Sequence, residues 1–225
     1  MKIGNIELLN MDCMEYMKTV PDKHFDLAIC DPPYGINANK MTLGEGVGVY
    51  RAPKKYKRGT DWDAKPPEKY YFDELIRCSK NQIIFGANHF ISRIALDSSC
   101  WIFWDKNNGD SDFADGELAW TSFKSPVRKF KYTWSGFIQD KKTGSEREDK
   151  IHPTQKPAGL YKWLLKNYAK EGDKILDTHG GSASLGVACI DYKFEAVICE
   201  IDKDYYEAAV KRLQNHVAQT LDNIF

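Results

Sequence analysis

Asp31-Pro32-Pro33-Tyr34 follows directly on the apolar run Phe25-Asp26-Leu27-Ala28-Ile29-Cys30. The run has the length and composition of a buried strand. Each proline ring fixes φ and removes a backbone N–H, and Pro33 drives Pro32 toward an extended conformation. The strand therefore stops here, and its last carbonyls stay out of any helix. In open α/β sheets the carboxyl ends of strands are where ligands bind. A carboxylate, rigid carbonyls and an aromatic ring at such an end can grip a planar group that carries an amino donor. The plainer reading of the same four residues is a stiff turn with an Asp cap.

Short apolar runs alternate with helix-like stretches along the rest of the chain. That rhythm predicts an α/β fold with a mostly parallel sheet. The expected strands are Ile6–Asn10, Asp26–Cys30, Gln82–Phe85, Trp101–Trp104, Lys174–Asp177 and Glu195–Cys199, with a further strand or hairpin in Lys129–Phe137. Helices are expected at Cys13–Met17, at Glu68–Cys78, and after Gly86 and Ser184. Pro157 can open another, carrying Leu160, Leu164 and Tyr168 on one face, with Gly172 as its stop. The last begins at Asp202 or Asp204, with Tyr205, Ala209, Leu213 and Val217 as its stripe. Trp101 and Trp104 read as core aromatics.

At 225 residues the chain fits a single domain. Two stretches, about 35–69 and 107–150, break the βα rhythm and read as insertion loops. Net charge is zero, so the chain as a whole gives no electrostatic argument for nucleic acid. The loops differ from the rest. Tyr50–Lys69 holds seven basic residues against three acidic, and Lys124–Lys150 eight against four. Tyr50, Tyr56, Trp62, Phe130, Tyr132, Trp134 and Phe137 are interleaved among them. Basic groups meet phosphates and aromatic faces stack on bases, so these are candidate nucleic-acid surfaces, or else simply solvated loops. The six cysteines have no Cys-x-x-Cys spacing, and four lie in apolar runs. They read as reduced core residues, with no disulfide and no metal site expected. No apolar run approaches membrane-spanning length.

A second constellation lies near the C-terminus. Lys174-Ile175-Leu176-Asp177-Thr178-His179-Gly180-Gly181-Ser182-Ala183-Ser184 reads as strand, tight glycine turn and helix start. Such a helix N-terminus offers free N–H groups to an anion. The next strand ends in Glu200, 23 positions after Asp177. An acid at that place can accept from ribose hydroxyls. The unit suits a nucleoside-containing ligand, although it is not Gly-x-Gly-x-x-Gly and has no phosphate-loop lysine.

With both constellations in view, the chain resembles the β class of S-adenosylmethionine-dependent amino-group DNA methyltransferases. It is similar to the small enzymes of phages and prophages. The resemblance rests on four blocks in order: Asn10-Met11-Asp12, Asp31-Pro32-Pro33-Tyr34, Ile151-His152-Pro153-Thr154-Gln155-Lys156-Pro157, and Ile175–Gly186 with Cys199-Glu200-Ile201-Asp202. It implies a Rossmann-like fold with a seven-stranded sheet, helices on both faces and a circularly permuted order. It also implies an adenine flipped out of duplex DNA for access to its amine. Asp31 and the Pro32 carbonyl would accept from that amine, Pro33 would stiffen the turn, and Tyr34 would stack on the base. The cofactor would be held by Asp12 at its adenine, by Asp177, His179, Gly180, Gly181 and Ser182 around the methionine portion, and by Glu200 at the ribose. Thr154 and Lys156 resemble positions near the cofactor carboxylate. Phe85-Gly86-Ala87-Asn88, at the same sheet edge, is a candidate lining of the base pocket. Plainer readings stand beside three of these. Asp12 could cap the first helix, His179 could be a loop residue facing solvent, and Lys156 a solvated neighbour of Pro157.

The chain departs from the family's Asp-Pro-Phe-x-Gly-Ser-Gly at His179 and Ala183. Adenine-N6 is the expected target, because cytosine-N4 enzymes more often carry Ser where Asp31 stands. Cytosine-N4 methylation and a DNA-binding module without activity are the alternatives. The resemblance also implies a cytoplasmic protein, admits a homodimer, and fits a target of about 2–5 base pairs.

Overall fold

The computed structural model describes residues 1–37, 63–109, 114–135, 138–139 and 148–222. The expected loops are thus only partly described. Tyr50, Tyr56, Trp62 and Phe137 lie outside the described residues.

Nine strands form one sheet. In chain order they are β1 (Lys2–Ile3), β2 (Ile6–Leu9), β3 (Phe25–Cys30), β4 (Ser79–Phe85), β5 (Trp101–Asp105), β6 (Gly116–Thr121), β7 (Arg128–Lys131), and, after a small hairpin of β8 (Trp134–Ser135) and β9 (Ile138–Gln139), β10 (Lys174–Asp177) and β11 (Glu195–Cys199). The spatial order is β1-β2-β11-β10-β3-β4-β6-β5-β7. Seven strands run the same way. Only β1 and β6 oppose them. The mostly parallel sheet is as expected, but it has nine strands where the resemblance implies seven. The two-residue β1 is too short to leave a pattern. β6 falls inside the stretch read as a loop, wedged antiparallel between β4 and β5 with no helix leading into it.

Helices cover both faces. From Leu27 to Cys30 of β3 the side chains alternate between two cores, with Leu27 and Ile29 in one and Ala28 and Cys30 in the other. The first face is covered by α4 (Ala158–Tyr168), α5 (Ser184–Tyr192) and α6 (Lys203–Asp222). The second is covered by α1 (Cys13–Thr19), α2 (Lys69–Cys78) and α3 (Ile91–Ile94). The expected stripes do the packing. Leu160 and Leu164 of α4 and Ala209 and Leu213 of α6 are fully buried. Each such leucine contributes about 2 kcal/mol of burial. Pro157 stands at the N-cap of α4, one residue earlier than expected. Asp202 caps α6 by accepting from the N–H of Asp204 and Tyr205. The helix expected after Gly86 is a single 3-10 turn, Ala87–His89, followed by the one-turn α3.

Of the loop aromatics, Trp134 is a core residue, and Phe130 and Tyr132 are half-buried and packed against the core. Trp134 is 6% exposed and donates its indole N–H to the Gln155 carbonyl at 2.7 Å. Phe130 and Tyr132 stack on each other, and Phe130 packs on Trp163 of α4. Trp134 is thus not available to stack on bases, and the candidate nucleic-acid surface loses it. All six cysteines are free and buried. No described helix is long and apolar enough to cross a membrane.

The order of the sheet fixes where a site can form. From β10 the chain crosses through α5 to β11, toward one edge. From β3 it crosses through α2 to β4, toward the other. β10 and β3 are neighbours, so the direction of winding reverses between them. A crevice opens outside the carboxyl ends of strands at such a switch point. Asp31 follows β3 there, and Asp177 ends β10.

Candidate active site

Asp31 lies within a half-buried cluster of charges centred on the buried Lys156. Its Oδ1 accepts from the Tyr34 hydroxyl at 2.7 Å, and its Oδ2 from Lys156 Nζ at 2.5 Å. Lys156 also contacts Glu117 Oε2 at 3.0 Å, and Lys106 holds Glu117 Oε1 at 2.6 Å. Burial pushes the Asp31 carboxyl up, against the pull of Lys156. Burial also opposes the charge on Lys156, but Asp31 and Glu117 outweigh it and hold the ammonium above its ordinary range. For Glu117, Lys156 and Lys106 outweigh burial and bring the carboxyl down to about 2.

The turn after β3 is held from outside the tetrapeptide. Asp63, 2% exposed, accepts from the backbone N–H of both Tyr34 and Gly35 through Oδ1. Pro32 is buried and Pro33 half-buried. The Tyr34 ring stacks on His89, with centroids 5.2 Å apart and planes at 16°. It also lies tight against Gly86, which has φ +66°. Of the expected lining Phe85-Gly86-Ala87-Asn88, Gly86 thus lies beside Tyr34 and Phe85 under Lys156.

The second constellation forms a cavity of about 90 Å³ lined by Met11, Asp12, Thr178, His179, Glu200 and Ile201. Asp12 does two things. Its carboxylate caps α1 by accepting from Met14 N–H at 2.8 Å, and it lines the cavity. Glu200 Oε2 accepts from Gly181 N–H at 2.7 Å and Oε1 from Asp202 N–H at 2.8 Å, so the carboxylate is already oriented. His179 does not face open solvent. Burial pushes its imidazole down to about 4, so it is neutral at pH 7, and its ring lies edge-on to Tyr71. Gly180 has no room for a side chain, since a Cβ there would sit 2.5 Å from Ile198 Cγ2. Ala183 takes φ +55° where the family pattern has glycine. Ser182 is buried, its hydroxyl 3.1 Å from that of Ser184, and its carbonyl accepts from Arg212 of α6.

Of the His-Pro-Thr-Gln-Lys-Pro residues, Thr154 is exposed and hydrogen-bonds His152. Gln155 ties the segment together through Ile151 N–H and the Asp149 carbonyl. His152 packs against Tyr205 and borders Gly181. Lys156 is not the solvated neighbour of Pro157 that the plainer reading made it. Its ammonium sits on Asp31 and Glu117 in the tetrapeptide cluster. Glu117, Lys106 and Asp63 were not foreseen. Each lies in or beside a stretch read as loop, and only tertiary folding reveals its partners. Among the described residues, no three His, Cys, Asp or Glu side chains are grouped to hold a metal ion.

Asp177 joins the two constellations. It is 3% exposed, and burial pushes its carboxyl up to about 7, against the His179 N–H and with help from Asp31 and Glu200. A carboxyl raised in the folded state binds a proton on folding between its unfolded and folded values. Stability is therefore lost as pH rises through that window. The Asp177→Asn protein should lose less stability than the native one between pH 5 and pH 8, by up to about 3 kcal/mol. Urea midpoints measured across that range check this. Parallel curves for the two proteins would contradict it.

Comparison with known proteins follows the same residues. A family model described as a DNA methylase matches residues 120–211, which include β10, the glycine turn, Glu200 and the first part of α6. The type II methyltransferase M.HinfI of Haemophilus influenzae is 26% identical, over 92% of this chain and 68% of its own length. The chain is similar to amino-group DNA methyltransferases in sequence and in fold. It has their Rossmann-like fold. The M1.HpyAVI–SAM complex superposes with a TM-score of 0.57 at 21% identity, covering 92% of this chain and 99% of that one. The cytosine-N4-specific PvuII DNA methyltransferase superposes with a TM-score of 0.57 at 12% identity, covering 98% and 96%. Asp31-Pro32-Pro33-Tyr34 comes early in the chain and the glycine turn late, the order expected from the resemblance to the β class.

Proposed function

We propose that the chain transfers a methyl group from S-adenosylmethionine to the N6 amino group of adenine in duplex DNA. The observation that carries this reading is the half-buried Asp31 carboxylate at the switch point, one strand from the cavity that holds Asp12, His179 and Glu200.

The residues fit the cofactor by their chemistry. The glycine turn admits close approach of a ligand to backbone. Glu200 and Asp12 are acceptors for ribose hydroxyls and an adenine amine. The edge is acidic, with Asp31, Asp177 and Glu200 influencing one another's ionisation, and this favours a ligand carrying positive charge. When bound, S-adenosylmethionine supplies a methyl group activated by its sulfonium.

The chain's own residues do the rest. Asp31 and the Pro32 carbonyl accept from the two protons of the flipped amine. That draws the nitrogen lone pair out of conjugation with the ring. Tyr34 stacks on the base. No enzyme nucleophile is required, so the rate comes from positioning and from the fixed acceptors. Asp at position 31 favours adenine. A second reading, cytosine-N4 methylation, draws support from the structural likeness to PvuII, and the acceptors suit either amine. The basic segments of the two loops would meet the DNA, in the cell compartment where DNA is accessible, and the chain could act as a homodimer.

The test is transfer of labelled methyl from S-adenosylmethionine to unmethylated duplex DNA, then digestion to nucleosides and mass spectrometry. N6-methyladenine is the expected product. N4-methylcytosine would replace the first reading with the second. Cofactor binding without any methylated nucleoside would remove DNA as the substrate.

A further inference from the structure

Lys156 is a cation where a cation is costly to place. Its side chain is 3% exposed, and an isolated ammonium in that environment would lose its proton. Three acceptors surround Nζ: Asp31 Oδ2 at 2.5 Å, Glu117 Oε2 at 3.0 Å and the Tyr34 hydroxyl at 3.1 Å. The rings of Tyr34 and Phe85 lie 5.4 Å and 4.9 Å from it. Each oxygen of Asp31 is thus held by one donor, Tyr34 on Oδ1 and Lys156 on Oδ2. A carboxylate oxygen has about two acceptor sites, so each retains one for an incoming N–H. Behind Lys156, Glu117 is anchored by Lys106, whose ammonium lies over Trp104 nearer the solvent. Asp31, Lys156, Glu117 and Lys106 form a row of alternating charges that starts at the reacting end and sums to zero.

We propose that Lys156 and Glu117 are positioning residues for the methyl transfer, holding the Asp31 carboxylate in one orientation and as an acceptor only. The inference rests on the function proposed above. Its logic is the difference between the two forms of a carboxyl group. A protonated acid donates one hydrogen bond and gives up acceptor capacity, so it would meet an amine with the wrong polarity. Burial alone drives Asp31 toward that form. Lys156 opposes it, and Glu117 keeps Lys156 charged while Asp31 is engaged with substrate. The titratable groups that face this pair are Tyr34, Glu117 and Lys106, Asp177 from β10, Tyr161 from α4, and His152 from the segment before α4. Asp177 and Glu117 act on Asp31 in the direction opposite to Lys156.

Two measurements test the inference. The first is the titration of the Asp31 carboxyl by 13C NMR of aspartate-labelled protein, assigned with Asp31→Asn. The second is the pH profile of kcat/KM for methyl transfer. In Lys156→Met the Asp31 titration should move up by more than about one pH unit, and the acid limb of the rate profile should move with it. Lys156→Arg should restore most of both. Glu117→Gln should leave the Asp31 titration at or below the native one while lowering the alkaline limb by about one unit, because Lys156 has lost one of its two anions. An Asp31 titration within about 0.3 units of native in folded Lys156→Met would overturn the inference. If that variant does not fold, an unmoved alkaline limb in Glu117→Gln overturns it instead. The two readings fail separately. A native protein without methyl transfer but with the Asp31 shift in Lys156→Met would retain the charge row and reject the proposed reaction.

Discussion

Asp31→Asn should lower methyl transfer by a factor of about 10² to 10⁴ while leaving S-adenosylmethionine affinity within about a few-fold of native. Asparagine keeps the shape of the side chain. It replaces one acceptor with a donor and removes the charge that Lys156 and Tyr34 engage. The amine would then lose one of its two acceptors, and the nitrogen lone pair would stay in the ring. Lys156 would still have Glu117 at 3.0 Å, so the fold should survive, at a stability cost of about 1–3 kcal/mol for a weakened buried pair. Single-turnover transfer with bound DNA separates the chemical step from binding. A variant within tenfold of the native rate would remove Asp31 from the reaction.

Gly86→Ala should damage the site from a distance. Gly86 directly follows β4 with φ +66°, and a Cβ there would lie 2.1 Å from Tyr34 Cε1. The left-handed backbone alone costs a non-glycine residue about 1–2 kcal/mol. The clash adds a displacement of the Tyr34 ring, which carries with it the hydroxyl on Asp31. A displacement of about 1 Å at a reacting centre can cost about 10²-fold in rate. Gly172 supplies the calibration, since it has φ +84° and an added Cβ would meet nothing within 4 Å. Gly172→Ala should therefore show the backbone cost without the loss of transfer. Melting temperatures and single-turnover rates of the two variants side by side check the argument. Equal rates for both would show that Tyr34 tolerates the shift.

What the sequence disclosed and what it hid differ by the range of the forces involved. Asp31-Pro32-Pro33-Tyr34 could be placed at a strand end because proline chemistry is local. The glycine turn and Glu200 were legible for the same reason, each sitting directly after a short apolar strand. Asp12 needed both of its readings, as cap and as cavity wall. β6 was missed because the rhythm of strand and helix is what identifies a parallel sheet, and an antiparallel insertion has no helix before it. Glu117 went with it. Lys156 was singled out by resemblance, but its partners come from β3 and β6, which lie 125 and 39 positions away at Asp31 and Glu117. Trp134 and Phe130 looked like stacking platforms among basic residues. α4 covers that side of the sheet, and nothing in their immediate neighbours announces it.

The position of β10 and β11 also bears on how the chain can be assembled. β2 and β3 are made before β10 and β11, yet they are not neighbours in the sheet. The two strands that separate them, Lys174–Asp177 and Glu195–Cys199, leave the ribosome well over a hundred residues later. Until then β2 has no neighbour on its inner side and β3 is an open edge. Any shortened chain that stops before residue 199 lacks part of the middle of the sheet rather than its margin. The last strands are the joint between the two halves, so the cavity and the acceptor cluster come into being in the same closing step.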